Sequence, residues 1–173
     1  REFEVGGAAA LTGKASPEEA ALQVLAYPIS QYELDYLASA IEPLRAAAEQ
    51  EPELWASLQG FGDPVEAAAP NAIWEKTKLN GEDVVAITMK LTFLREFSEL
   101  QDPLSDMRKN LAWLERRATE AENKTELLAA AEQLRGLVRV IETLEESGSF
   151  ALYRKSKREY DAVLDRFLAI GEQ

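Results

Sequence analysis

The stretch of residues 82–101, EDVVAITMKLTFLREFSELQ, constrains the fold more than any other part of the chain. It is the most apolar run, and Lys90, Arg95 and Glu96 are the only charged residues between Val84 and Phe97. Its apolar residues fit two patterns, because they both alternate, as on a strand, and recur at intervals of three and four, as on a helix. The alternating positions are Val85, Ile87, Met89, Leu91 and Phe93, and those with helical spacing are Val84, Ile87, Leu91, Leu94 and Phe97.

The flanking residues favour the helix. Asn80 is followed by two acidic residues, which is typical of the first turn of a helix. The run then continues to a stop at Asp102-Pro103, a length similar to that of the segments downstream. The alternative is an α+β fold in which Asn80-Gly81 forms the turn of a β-hairpin, since this dipeptide is a strong hairpin signal and the stretch is rich in β-branched residues.

The chain after residue 102 predicts three further helices with short connections. Asp102-Pro103, Asn123 and Ser149 are start signals, and Gly148 is typical of a helix end. Short connections make neighbouring helices antiparallel. We therefore expect an all-α protein, in which residues 80–173 form an antiparallel, up-down four-helix bundle and additional N-terminal helices pack against it.

The N-terminal half predicts shorter elements. Residues 1–15 are rich in Gly and Ala and are expected to be a flexible segment, whereas residues 16–173 form a single helical domain. Within residues 16–79 we expect helices and an irregular segment, and Pro43 should kink or break the helix that contains it. The expected N-terminal caps are Ser16, Ser30 and Asp63.

The charge of the chain excludes some partners. The net charge is −12, and residues 1–75 alone hold 3 of the 19 basic and 13 of the 31 acidic residues. Such a chain is no general nucleic-acid binder, because phosphate groups require Lys and Arg. No uncharged run reaches the roughly 18 residues of a membrane-spanning helix. The acidic, alanine-rich, cysteine-free composition favours an exported, periplasmic bacterial domain.

The chain contains no His and no Cys. This excludes a Ser-His-Asp triad, a Cys nucleophile, a Cys/His zinc site and a His-ligated haem, so we expect no enzyme, no metal and no cofactor. A carboxylate-dependent hydrolase remains as a third hypothesis, because it needs only two acidic residues that face each other across a cleft. The candidate carboxylates are Glu96, Glu99, Asp102 and Asp106.

Two groups of residues are candidates for partner binding. The first is the basic cluster RKSKR at residues 154–158, whose cations should fan over one side of the last helix and attract an acidic protein or anionic lipid headgroups. The second is a pair of aromatic residues in the irregular segment, which either close the core or form a contact surface. The candidates are Arg154, Lys155, Lys157, Arg158, Trp55 and Phe61.

Tyrosines suggest a different function. A tyrosine offers an apolar ring and a polar tip, which suits the wall of a ligand pocket between helices. The candidates are Tyr27, Tyr32, Tyr36, Tyr153 and Tyr160. The sequence thus predicts a non-enzymatic protein-interaction or scaffold domain, with a small-molecule or lipid-binding helical bundle as the alternative.

Overall fold

The computed structural model describes residues 5–13, 16–58, 63–120 and 122–172, and every regular element within these ranges is helical. The predicted all-α class is therefore confirmed. A short 3-10 helix, Ala8–Thr12, comes first. The α-helices that follow are α1 (Pro17–Leu25), α2 (Gln31–Gln50), α3 (Pro52–Ala56), α4 (Pro64–Ala68), α5 (Ala72–Thr77), α6 (Gly81–Ser98), α7 (Pro103–Glu120), α8 (Lys124–Glu146), α9 (Ser149–Lys155) and α10 (Lys157–Leu168).

The structure does not support the β-hairpin at Asn80-Gly81. Asn80 is instead the N-cap of α6, and its side-chain oxygen accepts a hydrogen bond from the backbone N–H of Asp83 at 3.2 Å. Its own backbone N–H donates to the hydroxyl of Tyr36 at 3.1 Å. The β-branched residues of this stretch lie in a helix because intrinsic propensities are weak compared with burial in a core.

Helix α6 lies at the centre of the molecule. All five residues predicted by helical spacing are buried, and residues on its other faces are buried as well. The 3-10 helix, α1 and α4 pack against α6, as do α2, α9 and α10. A helix that is apolar all round needs neighbours all round, which explains why this stretch fits no single amphipathic pattern. Its buried residues are Gly81, Val84, Val85, Ala86, Ile87, Thr88, Lys90, Leu91, Leu94 and Phe97.

The predicted up-down arrangement of the last four helices is not confirmed. In the described part of the chain, α7 packs closely along α8 alone, while α6 packs with α2, α9 and α10. The apolar stripe of α7 is narrow, with only Leu104 and Ala118 buried, and such a stripe is covered by one neighbouring helix. Helices α7 and α8 therefore form a two-helix hairpin, which we call the arm.

Of the segment expected to be flexible, residues 5–13 are described, whereas residues 1–4, 14 and 15 lie outside the described residues. Val5, Ala8 and Leu11 are buried, and Leu11 is completely inaccessible to solvent. The 3-10 helix packs against α1, α4 and α6. Burial of a few apolar side chains thus holds a Gly- and Ala-rich segment against the core.

Helix continuity differs from expectation in two places. Helix α2 continues through Pro43 without a break, because the buried residues Ile41 and Leu44 hold both sides of the proline in the core. The last helix is interrupted at Ser156, whose φ of −126° and ψ of 30° are not helical. The expected caps at Ser16, Ser30 and Asp63 are confirmed, each accepting a backbone N–H of the first helical turn.

We predict opposite effects of alanine at two helical glycines. A Cβ atom on Gly81 would lie 2.5 Å from Nε1 of the buried Trp74, whereas a Cβ atom on Gly136 in α8 meets nothing closer than 4.0 Å. Gly81→Ala should lower the free energy of unfolding by about 1–3 kcal/mol through overpacking. Gly136→Ala should raise it by up to about 1 kcal/mol through helix propensity. Urea unfolding of both variants tests this, and an equal effect of the two would contradict the close packing at Gly81.

Candidate functional site

The basic cluster at residues 154–158 does not lie on one continuous helix. Helix α9 ends at Lys155 and α10 begins at Lys157, so the cations surround a junction. Arg154 lies over the ring of Phe150, 5.3 Å from its centroid, and Lys157 forms a salt bridge with Asp161. All four cations are exposed, but these two are engaged in contacts within the chain.

Tyr153, Lys157 and Asp161 form a small polar cluster beside this junction. The hydroxyl of Tyr153 donates to Asp161 and accepts from Lys157 at 3.3 Å. Burial, together with the hydrogen bond to Asp161, raises the pKa of Tyr153. A tyrosine with a raised pKa stays protonated at neutral pH and cannot act as a general base. The hydrogen bond from Tyr153 to Asp161 therefore joins α9 to α10.

The five candidate tyrosines do not converge on one pocket. Tyr153 and Tyr160 are buried, with ring centroids 5.9 Å apart. Tyr32 and Tyr36 form a second pair on α2, with centroids 6.3 Å apart. Tyr27 is exposed and lines a separate surface cleft. A pocket lined by these tyrosines together stays a prediction.

Trp55 closes one end of the core. Its indole packs on Gly171, where φ is +79° and a Cβ atom would lie 2.5 Å from the indole nitrogen. It also lines a shallow cleft of about 480 Å³ between α2, α3 and the C-terminal residues, with Arg45 and Glu49. Phe61, the other aromatic candidate, lies outside the described residues.

A buried salt bridge joins α2 to α6. The Nζ atom of Lys90 lies 2.8 Å and 2.9 Å from the two carboxylate oxygens of Glu33, and the side chains are 0% and 2% exposed. Burial raises the pKa of Glu33 and lowers that of Lys90, and in each case it outweighs the attraction of the partner. Sequence analysis missed this pair, although a single lysine inside the most apolar run was its visible signal.

An apolar cleft lies on the side of α6 that faces α1 and α4. Its volume is about 460 Å³, within the range of small-molecule sites. Val85, Met89 and Phe93 form its floor. These three residues belong to the alternating pattern in the sequence but not to the pattern with helical spacing. The hydroxyls of Thr88 and Thr92 also line it, but both donate to backbone carbonyls of α6. The remaining lining residues are Pro17, Glu18, Ala21, Pro64 and Leu168.

The arm extends beyond the hydrophobic core. Its contribution to the core comes from the end where it joins the body, through Leu104 on α7 and Val138, Ile141 and Leu144 on α8. We call the rest of the hairpin, residues 108–137, the outer arm, and the interface between α7 and α8 the seam. Further out, Ala118 and Ala131 are buried between α7 and α8 but do not belong to the core. Leucines on the apolar stripes of the two helices remain partly exposed. These leucines are Leu111, Leu114, Leu127 and Leu134.

Salt bridges fix the two helices of the arm to each other. Arg108 on α7 pairs with Glu142 on α8 at 2.6 Å, and Arg135 on α8 pairs with Glu115 on α7 at 2.7 Å. Each exposed pair contributes little stability, but together they bridge the seam at two levels. The arm is thus an ordered hairpin rather than an extended loop.

Trp113 is the most exposed large apolar residue of the described chain, with 54% of its surface accessible. It lies on α7, on the face turned away from the seam. Sequence analysis did not select it, because it occurs within a regular helix rather than in an irregular segment. The available signal was its position outside the apolar stripe of that helix.

The described residues contain no group of three or more Asp and Glu placed to hold a metal ion, and this includes the carboxylates around residues 96–106. No helix in the same ranges is long and apolar enough to cross a membrane. No protein-family model, curated protein or solved structure matches this chain significantly. Function must therefore be inferred from the surfaces described above.

We predict that Lys90→Met is strongly destabilising and that its effect depends on pH. Removing the lysine leaves the carboxylate of Glu33 buried without a partner, which should cost about 3–5 kcal/mol of unfolding free energy at neutral pH. The raised pKa of Glu33 means that the folded protein binds this proton more tightly than the unfolded chain. The contribution of Glu33 to stability is therefore full at low pH and is lost as the pH rises through its folded-state pKa.

Urea unfolding of Lys90→Met between about pH 5 and about pH 8 should thus show the smaller loss at the acidic end. The double variant Glu33→Leu/Lys90→Met is the matched control. It should unfold within about 1 kcal/mol of the wild-type protein, or be more stable, and the pH-dependent difference should disappear. A double variant as unstable as the single one would show that the two side chains are not coupled.

Proposed function

We propose that the chain is a non-enzymatic protein-interaction domain that presents the arm, α7 and α8, to a protein partner. The observation that carries this proposal is the position of the outer arm outside the hydrophobic core, where α7 packs closely along α8 alone, although α8 also contacts α1 and α9. Helices in proteins are stabilised mainly by packing of their apolar faces, and a two-helix hairpin leaves much of each face in water. A partner helix or groove would complete this packing.

Composition supports a binding role. Without His or Cys, the chain lacks the commonest general base and the thiol nucleophile. Substitutions on the outer arm leave the core untouched, so its surface is free to match a partner. These two features favour recognition over catalysis.

Site-specific photo-crosslinking tests the proposed function. Leu128 near the tip of the arm and Leu152 on α9 are a matched pair, because their exposed fractions are 43% and 42%. A photoreactive amino acid at Leu128 should yield one defined adduct in an extract of the cells that make the protein. The captured protein, identified by mass spectrometry and then purified, should bind the unmodified domain with a defined stoichiometry in calorimetry.

The same crosslinker at Leu152 should give no such adduct. An adduct from Leu152 and none from Leu128 would overturn the arm as the interface and favour the neighbouring cations at residues 154–158. Equal labelling from both positions would indicate nonspecific capture.

A second candidate function rests on the apolar cleft above α6. Apart from Glu18, the cleft is lined by apolar residues and by two threonines whose hydroxyls are already bonded to the helix backbone. We propose that its ligand would be a neutral molecule with a single alkyl chain. This retains the expected ligand-binding class, but at a site without tyrosines.

We predict that a tryptophan at Leu168 blocks this cleft. Leu168 lines the cleft with 45% of its surface exposed, whereas the similarly exposed Leu152 lies outside it. If the cleft binds ligand, dodecanol should raise the melting temperature of the wild type and of Leu152→Trp, because a ligand of the folded state stabilises it. Leu168→Trp should lose that shift. The same shift in all three proteins, or no shift in any, would exclude the cleft as a site for this ligand class.

A further inference from the structure

The face of α7 around Trp113 carries a cluster of cations. Lys109 precedes Trp113 by four residues, and Arg116 and Arg117 follow it by three and four. Residues at these spacings are neighbours on a helix surface, so three cations surround the indole. All three are exposed, in a chain whose net charge is −12. We call these four residues the Trp113 face.

The cations of the Trp113 face are not neutralised within the described part of the chain. None of the three forms a salt bridge there, and Arg116 only donates from Nε to the carbonyl of Ala112 at 3.4 Å. Other arginines of the arm behave differently, since Arg108, Arg135 and Arg139 each pair with a carboxylate. The three cations around Trp113 therefore have no salt bridge among the described residues, whereas the other arginines of the arm pair across the seam or, in the case of Arg139, with Glu18 of α1.

The Trp113 face points away from α8. Successive residues of a helix are separated by about 100°, which places Trp113 roughly 140° around α7 from the centre of its apolar stripe. The indole therefore contributes nothing to the seam. A large aromatic side chain left in water forgoes a favourable burial of about 2–3 kcal/mol, which a partner could supply. Tryptophan and arginine are also the residue types that dominate binding energy at protein interfaces.

Two acidic residues limit the size of this surface. Asp106 and Glu120 lie two helical turns before and after Trp113, on the same face of α7. A flat anionic membrane would bring both carboxylates against lipid phosphates and would be repelled by them. A short acidic segment that spans only the central turns would avoid both. The charge pattern therefore favours a peptide-like partner over a lipid surface.

We propose that the Trp113 face binds an acidic segment of a protein partner, with an apolar side chain of that segment on the indole and its carboxylates on Lys109, Arg116 and Arg117. This inference rests on the proposed function, since it names the surface of the arm and the chemistry of its partner. The guanidinium groups offer paired donors that suit carboxylates.

Fluorescence anisotropy with a defined probe tests the charge and the indole separately. The probe is a short fluorescein-labelled peptide of alternating Glu and Leu, and its control replaces every Glu with Gln. The Glu peptide should bind the full chain, with an affinity that falls as salt is added. Trp113→Ala should weaken its binding by about 10-fold or more, as expected for a central aromatic residue of an interface. Arg116→Glu/Arg117→Glu should weaken it at least as much, because attraction becomes repulsion.

The matched control is Lys78→Glu/Arg166→Glu, which reverses two exposed cations on the body of the molecule and should leave the affinity unchanged. Circular dichroism and melting temperatures check that each variant folds. Equal binding of the Glu and Gln peptides, or full binding by Trp113→Ala, would overturn the proposal. Binding to phosphatidylserine vesicles that requires Trp113, without binding to the peptide, would also overturn it, in favour of a lipid surface.

The crosslinked partner separates this inference from the proposed function. If Leu128 captures a partner whose affinity is unchanged in Arg116→Glu/Arg117→Glu, the arm is an interface but the Trp113 face is not part of it. If no partner is captured at the arm, the proposed function itself fails.

Discussion

The salt bridge between Lys90 and Glu33 restricts how the two central helices can lie against each other. Both charges are removed from water, and each is tolerated only because the other is within hydrogen-bonding distance. Sliding α2 along α6 by one turn would separate them and leave two unpaired charges in the core. The pair therefore fixes the register of α2 and α6, and the remaining helices pack on the surfaces that this register creates.

Local signals predicted local structure well. The caps at Ser16, Ser30 and Asp63 and the helix start at Asn80 depend on side chains within three residues of the cap, so the sequence contains all the information required. The arrangement of helices is different, because an apolar stripe shows which face is buried and not which helix buries it. Helix α7 has a regular stripe that fits either a bundle or a hairpin, and only the tertiary structure distinguishes them. The partner of Lys90 lies 57 residues away, where nothing nearby in the sequence points to it.

For the candidate sites, too, the sequence identified residue types but not their tertiary contacts. The cations at residues 154–158 and the tyrosines were selected by residue type. In the structure Arg154 contacts Phe150 within α9, Lys157 pairs with Asp161 within α10, and Tyr153 donates to Asp161 across the two helices. The residue type alone does not show whether a side chain already has a partner within the chain. Trp113 was detectable in principle, because a tryptophan opposite the apolar stripe of an amphipathic helix has no packing role there. Recognising it requires the helix and its buried face to be assigned first.

The two candidate functions are linked to stability in different ways. The cleft is lined by Val85, Met89 and Phe93, whose helix is also the centre of the core, so a ligand there would stabilise the whole fold. The outer arm contributes little to that core, so it can open without unfolding the core. A partner that binds only the folded arm opposes this local opening and global unfolding by the same free energy. Slower hydrogen exchange in α7 and α8 would therefore locate the partner on the arm, whereas a shift of global unfolding reports binding without showing where it occurs.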